Sequence, residues 1–150
     1  MSRRQIVFLM TDTQRWDMLG CYGYPAMKTP HLDRLASQGM RFERAYTCQP
    51  VCGPARAALF TGTWPHNNGS WSNGLALGAY TRHLGQLLAP AGIHAAYIGK
   101  WHLDAFDYFG RGEAPEGCDP RYWYDMRMYL EEMSPEDRRR SRETATNRDP

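Results

Sequence analysis

Lysine is almost missing from this chain: Lys28 and Lys100 are the only two among 150 residues, against sixteen arginines. Net charge is small as well, since 18 basic and 16 acidic residues leave a formal +2. That balance argues against nucleic acid or an anionic membrane surface as a partner, because the arginines are spread along the chain and gather only at Arg138 to Arg142. No run approaches the roughly 20 apolar residues of a membrane span. The apolar stretch in "MSRRQIVFLMTDTQ" is also too short for an export signal, so the expected location is cytoplasmic. Cysteine is sparse, with Cys21, Cys48, Cys52 and Cys118, and reduced thiols are expected rather than disulfides. A zinc site wants two tight pairs, and only Cys48 and Cys52 stand close. Internal repeats and low-complexity stretches are absent, and 42% hydrophobic residues excludes global disorder. A chain of this length can form one domain with a real core.

What is present is clear punctuation between apolar segments. "QIVFLM" (residues 5–10) ends abruptly at "TDTQRWD", as a buried parallel strand would, which sets Asp12 just past its carboxyl end. "TPHLDRLASQG" predicts a helix, with Thr29 as cap, Pro30 at the first position, Leu32, Leu35 and Ala36 on one face, and Gly39 as the stop. "MRFERAY" (40–46) alternates as a strand does, and the alanine-rich segment after Pro54 predicts a helix ending at Gly62. Residues 81–91 predict another helix through Leu84, Leu87 and Leu88, closed by Gly92. "IHAAYIG" (93–99) then predicts a strand leading into "KWHLD". Strands separated by helices predict an α/β fold, a mixed and largely parallel sheet sandwiched by helices, in which ligands collect beyond the carboxyl ends of the strands. Asp12, Lys100 and His102 all fall at such ends. After Asp104 the texture turns aromatic and charged with many turn residues, until "SPEDRRRSRE" opens a helix at Ser134.

"CQPVCGPARAALFTG" (48–62) puts Cys52 at the mouth of a helix and Arg56 one turn on. Unpaired backbone NH groups and the positive dipole end favour a bound anion there, and Arg56 adds charge to the same place. The plainer alternative is a small buried cysteine and a solvated arginine. Asp12 is a hard-oxygen donor suited to calcium or magnesium, or an ordinary loop carboxylate. Lys100 suits an anionic oxygen, or simply leaves the core at a strand end. His102 is a candidate proton carrier, although a lone histidine is more often structural. His66 and Asn68 in "WPHNNGSW" either face a substrate or belong to a turn containing Gly69.

Cys52, Pro54 and Arg56 match the C-x-P-x-R core of the sulfatase signature, and "GPARAALFTG" extends the match. "IVFLMTDTQRWDMLGCYG", "TPHLDRLASQGMRFERAY" and "YIGKWHLD" resemble, in order, that family's amino-terminal strand and metal loop, its next helix and strand, and its Lys-x-His element. Residues 5 to 104 thus resemble a type I sulfatase of the alkaline phosphatase-like superfamily. The resemblance implies that a formylglycine-generating maturation enzyme oxidises Cys52, and that the hydrated aldehyde, held on a divalent cation, attacks sulfur and later expels sulfate. It assigns Arg56 to hold that hydrate, Pro54 to fix the turn, Lys100 to bind a sulfate oxygen, and His102 to hydrogen-bond the formylglycine hydroxyl and take its proton. Asp12 and the group derived from Cys52 become metal ligands, with calcium expected first and magnesium or manganese as substitutes. The implied substrate is a sulfated small molecule or carbohydrate.

One position departs from the commonest pattern of the family, in which two adjacent aspartates bind the ion: the second is Thr13. Related phosphonate monoester hydrolases also lack the paired acid. A second metal-binding pair, a further lysine and histidine around the sulfate, and the carboxyl-terminal subdomain are not among these 150 residues. The expectation is therefore that residues 1–104 form the amino-terminal part of a catalytic domain, incomplete in its sheet, and that 105–150 form an irregular insertion and the start of a helix. Such a chain alone is expected to be inactive and unstable. Three functions stand: a sulfatase, a phosphonate monoester or phosphodiester hydrolase, and a non-catalytic binding fragment in which Cys52 stays a thiol.

Overall fold

The structure, a computed structural model, describes residues 5–146. Residues 1–4 and 147–150, which the two sequence-based spans include, lie outside the described residues. The chain divides into two compact units, Met1–Tyr46 and Thr47–Pro150.

In the first unit α1 (Pro30–Gln38) follows the expected bounds, with proline in its first turn and Gly39 ending it. Thr29 occupies the cap position but does not cap the helix with its side chain. Its hydroxyl instead donates to Asp33 Oδ1 at 2.9 Å and accepts from Gly20 NH at 2.9 Å. Asp33 Oδ1 also accepts from Cys21 NH at 2.7 Å, so the start of α1 is spent on anchoring the 3-10 turn Gly20–Tyr22. The two strands expected here, residues 5–10 and 40–46, are not formed. A strand exists only by pairing its NH and CO groups with a neighbour, and no neighbour lies alongside them among the described residues. Ile6 is accordingly 91% exposed and Leu9 84%.

The second unit carries α2 (Cys52–Thr61), α3 (Pro65–Asn68), α4 (Leu84–Leu88), β1 (Tyr97–Gly99), β2 (Trp123–Asp125), α5 (Met126–Glu132) and α6 (Pro135–Thr146). Gly62 and Gly92 close their helices in the left-handed conformation, as expected. α4 is shorter than expected, because Ala89–Ala91 tightens into a 3-10 turn around Pro90. The strand expected over 93–99 pairs only through 97–99. Its partner β2 was hidden in the aromatic stretch after Asp104, and the two run parallel with Tyr97 opposite Trp123 and Gly99 opposite Asp125. The mixed α/β architecture with a parallel sheet therefore holds, in a sheet of two strands among the described residues. No helix among the described residues is long and apolar enough to cross a membrane.

The core lies where α2 packs on β1 and β2. Ala57, Trp101, Leu103 and Trp123 are buried, and Phe60, Tyr97 and Met128 pack against them. Tyr97 stacks on Trp123 with ring centroids 4.9 Å apart, while Trp101 meets Trp123 edge-on at 5.0 Å and Phe60 at a tilt at 5.3 Å. Such aromatic pairs add about 0.5–1.5 kcal/mol each beyond the area they bury. Asp125 is fully buried and accepts hydrogen bonds from Gly112 NH (2.9 Å), Trp123 Nε1 (3.1 Å) and Met128 NH (3.1 Å). It caps α5 and ties down residues 110–112 together. Gly110 allows this approach, since its φ is +108° and a Cβ there would stand 2.4 Å from Asp125 Oδ2.

His83 caps α4 through a box, with its Nδ1 accepting from Gly85 NH at 3.2 Å while Gln86 Oε1 accepts from His83 NH. An accepting Nδ1 is unprotonated, and burial lowers the His83 pKa from 6.5, against the weaker pull of Asp104 and Glu116. A depressed histidine takes up its proton more readily unfolded than folded, so its contribution to stability is present above about pH 6.5 and declines as pH falls below it. Between about pH 7.5 and 5.5 the thermal midpoint should fall more steeply for the parent than for His83→Asn, which caps without titrating. Parallel slopes in scanning fluorimetry would refute this.

Candidate active site

α2 starts at Cys52 without help from the residue before it, because Val51 is extended and offers no side-chain cap. Pro54 sits in the first turn, where its missing NH costs no hydrogen bond. The cap comes from a distant segment: Asn73 Oδ1 accepts from Gly53 NH at 2.9 Å and from the Cys52 thiol at 3.4 Å. Gly53 leaves room for this. A Cβ on it would stand 2.9 Å from Asn73 Oδ1 and 3.8 Å from His102 Cε1, so both side chains close on the start of the helix.

One turn along, Arg56 is 7% exposed, and its Nη1 donates to the Lys100 carbonyl at 2.5 Å and to the Tyr97 hydroxyl at 3.4 Å. The Tyr97 hydroxyl donates to the same carbonyl. Burial raises the Tyr97 pKa, with Arg56 acting weakly in the other direction, so the phenol keeps the proton it donates. The i, i+4 spacing of Cys52 and Arg56 thus puts one at the helix mouth and the other against the end of β1. Beyond β1, Trp101 and Leu103 enter the aromatic core while Lys100 and His102 lie against Tyr108. Lys100 Nζ stands 3.5 Å from the Tyr108 ring centroid, and the His102 ring centroid is 4.4 Å from it. His102 holds φ at +57°, a left-handed conformation that is rare for a residue with a side chain and recurs at functional sites.

The structure therefore gathers Cys52, Arg56, Lys100 and His102 in the second unit, around Asn73 and Tyr108. Asp12 belongs to the first unit, in an exposed loop followed by Thr13 at φ +56°. Asn68 has no part in the cluster. It is fully buried, donates to the Thr63 carbonyl and accepts from Ser70 NH, which makes it the organiser of its own turn. His66 is exposed on α3. All four cysteines are free, as expected. Sequence reasoning missed Asn73 and Tyr108. "SNG" signals a turn at Asn73, but nothing local links that turn to a cysteine 21 positions earlier.

The sulfatase family model matches residues 4–136. The chain belongs to the sulfatase family. It is 48% identical over 134 residues to the uncharacterized sulfatase YidJ of Escherichia coli, a match covering 89% of this chain and 27% of that protein. The solved structure of BT4656 with its substrate D-glucosamine-2-N,6-O-disulfate superposes with a TM-score of 0.70 at 35% identity, over 81% of this chain and 23% of that one. The phosphonate monoester hydrolase of Agrobacterium radiobacter gives 0.58 at 26% identity, over 71% and 23%. The chain thus spans about a quarter of the length of the relatives it matches. The neighbours bear out the alkaline phosphatase-like fold, and the family match runs past Asp104 to take in β2 and α5.

Sulfatases generally use a metal ion and a formylglycine. Among the described residues no group of three or more His, Cys, Asp or Glu side chains could hold a metal ion. The single carboxylate of Asp12 falls well short of the six to eight oxygens calcium takes, so it does not by itself fit a complete metal site.

Proposed function

We propose that the protein hydrolyses a sulfate ester carried by a carbohydrate, with Cys52 converted to formylglycine by a maturation enzyme. The observation that supports this reading best is the cluster itself: a cysteine at a helix mouth, a buried arginine one turn on that holds the Lys100 carbonyl, and a buried histidine that closes on Gly53 beside it. Formylglycine would supply a hydrated aldehyde as the nucleophile. Around it the chain's own groups have distinct work. The Lys100 ammonium is a compact charge suited to one sulfate oxygen. Arg56 carries five NH donors; one of its nitrogens fixes the Lys100 backbone, and the guanidinium orients the group at position 52 from one turn below. His102 Nδ1 is buried, so proton exchange with a bound group falls to Nε2. Asp12 is proposed, as the family resemblance implies, as one ligand of a divalent ion, calcium first. A carbohydrate is favoured as the substrate carrier because BT4656, of matching fold, binds a sulfated glucosamine.

A second reading has its own support. Thr13 stands where the common pattern has an aspartate, and a phosphonate monoester hydrolase is a structural neighbour. One experiment separates the possibilities. The product of the whole reading frame, co-expressed with a formylglycine-generating enzyme, should show the peptide containing Cys52 lighter by about 18 Da, the loss of sulfur and two hydrogens against one oxygen gained. It should turn over a sulfate ester faster than the matching phosphate diester or phosphonate ester. Preference for the phosphorus esters would decide for the second reading, and an unmodified peptide with no turnover would leave a non-catalytic protein.

A further inference from the structure

Tyr108 lies in a segment that no motif covers. It is 43% exposed, so it contributes little to the core, yet its ring meets two proposed site residues at once, Lys100 Nζ at 3.5 Å and the His102 ring at 4.4 Å. The ring is held in place before any ligand arrives. Successive turns bind Asp107 NH to Asp104 O, Tyr108 NH to Phe106 O and Gly110 NH to Asp107 O. Asp107 bridges Arg111 and Arg127 at 3.3 and 3.6 Å, and Phe109 packs edge-on against Tyr108 at 5.1 Å. Arg56 and Tyr97 pin the Lys100 carbonyl, which fixes where the lysine starts but not where its four-carbon stem ends. Ordering a lysine head costs side-chain entropy, and an aromatic face restrains it without withdrawing its charge.

We propose that Tyr108 is a positioning residue for anion binding, its ring face holding the Lys100 ammonium beside His102 at the mouth of α2. The proposal rests on the ester-hydrolase reading above. It requires the ring and not the hydroxyl, so Tyr108→Phe keeps the function and Tyr108→Leu, apolar but without a ring face, loses it. In the matured product of the whole reading frame, Tyr108→Leu should raise KM for 4-nitrophenyl sulfate and the inhibition constant of inorganic sulfate by about five- to tenfold, with kcat changed less. Tyr108→Phe should stay within about twofold on both. A purely structural tyrosine would give equal losses in both variants with a lowered melting point, and that result overturns the proposal.

A readout independent of turnover keeps it separate from the hydrolase reading. Acetylation of Lys100 by acetic anhydride, followed by peptide mass spectrometry, should run about fivefold faster in Tyr108→Leu than in the parent and unchanged in Tyr108→Phe. Equal rates in all three proteins overturn the proposal even if the parent is an active sulfatase. If the parent hydrolyses no ester, the functional reading fails, and the acetylation contrast still decides whether Tyr108 holds Lys100.

Discussion

Cys52→Ala should abolish ester hydrolysis, lowering kcat by at least about a thousandfold, while leaving the melting point nearly unchanged. The two halves of this expectation have different physical origins. On the proposed mechanism alanine gives no aldehyde at position 52, so no hydrate would form and the nucleophile would be lost. The thiol itself does little for the fold: it is only partly buried, and it makes a long, 3.4 Å hydrogen bond to Asn73 Oδ1. That oxygen keeps its stronger donor, Gly53 NH at 2.9 Å, in the variant. The helix cap therefore survives, and a weak sulfur donor is worth well under about 1 kcal/mol. The measurement pairs steady-state kinetics on a sulfate ester with thermal unfolding of the same preparation. Retention of even a tenth of the parent's kcat would show that the chemistry does not pass through position 52.

Asp125→Ala should have the largest effect on stability, about 3–5 kcal/mol. The carboxylate is fully buried and serves Gly112 NH, Trp123 Nε1 and Met128 NH. Truncation leaves these donors without an acceptor, each costing about 1–3 kcal/mol where water cannot reach it, and it also removes the cap of α5. Asp125→Asn keeps an acceptor and much of the volume, and should cost about half as much. Because Asp125 also holds residues 110–112, the loop carrying Tyr108 should loosen together with the sheet. Urea denaturation of the reading-frame product reads the stability difference. A change below about 1 kcal/mol in Asp125→Ala would mean that the three donors find other partners.

The helices show how local chemistry carries over. Pro30, Gly62 and Gly92 mark their ends correctly because a proline φ and a left-handed cap are set by the residue itself, while Gly39 ends α1 in extended backbone. Thr29 already shows the limit, since its hydroxyl had two possible uses and Asp33 with Gly20 decided between them. The strands show the limit more fully. Residues 5–10 carry every local mark of a buried strand and pair with no strand among the described residues, whereas Trp123–Asp125, preceded by turn residues, pairs with β1.

The residues of the site divide in the same way. Cys52, Arg56, Lys100 and His102 were legible because fixed spacing on one helix and one strand end forces them into a set relation, and because that spacing matches a family signature. By itself the sequence determined the family and the helix ends that Pro30, Gly39, Gly62 and Gly92 mark, and it singled out these four side chains as candidates. Only the tertiary structure decided that Asn73 caps α2, that Tyr108 faces Lys100, that Asp125 is buried, and which apolar runs become strands. Each of those depends on two segments far apart in the chain arriving at one place, and neither segment by itself holds the information about its partner.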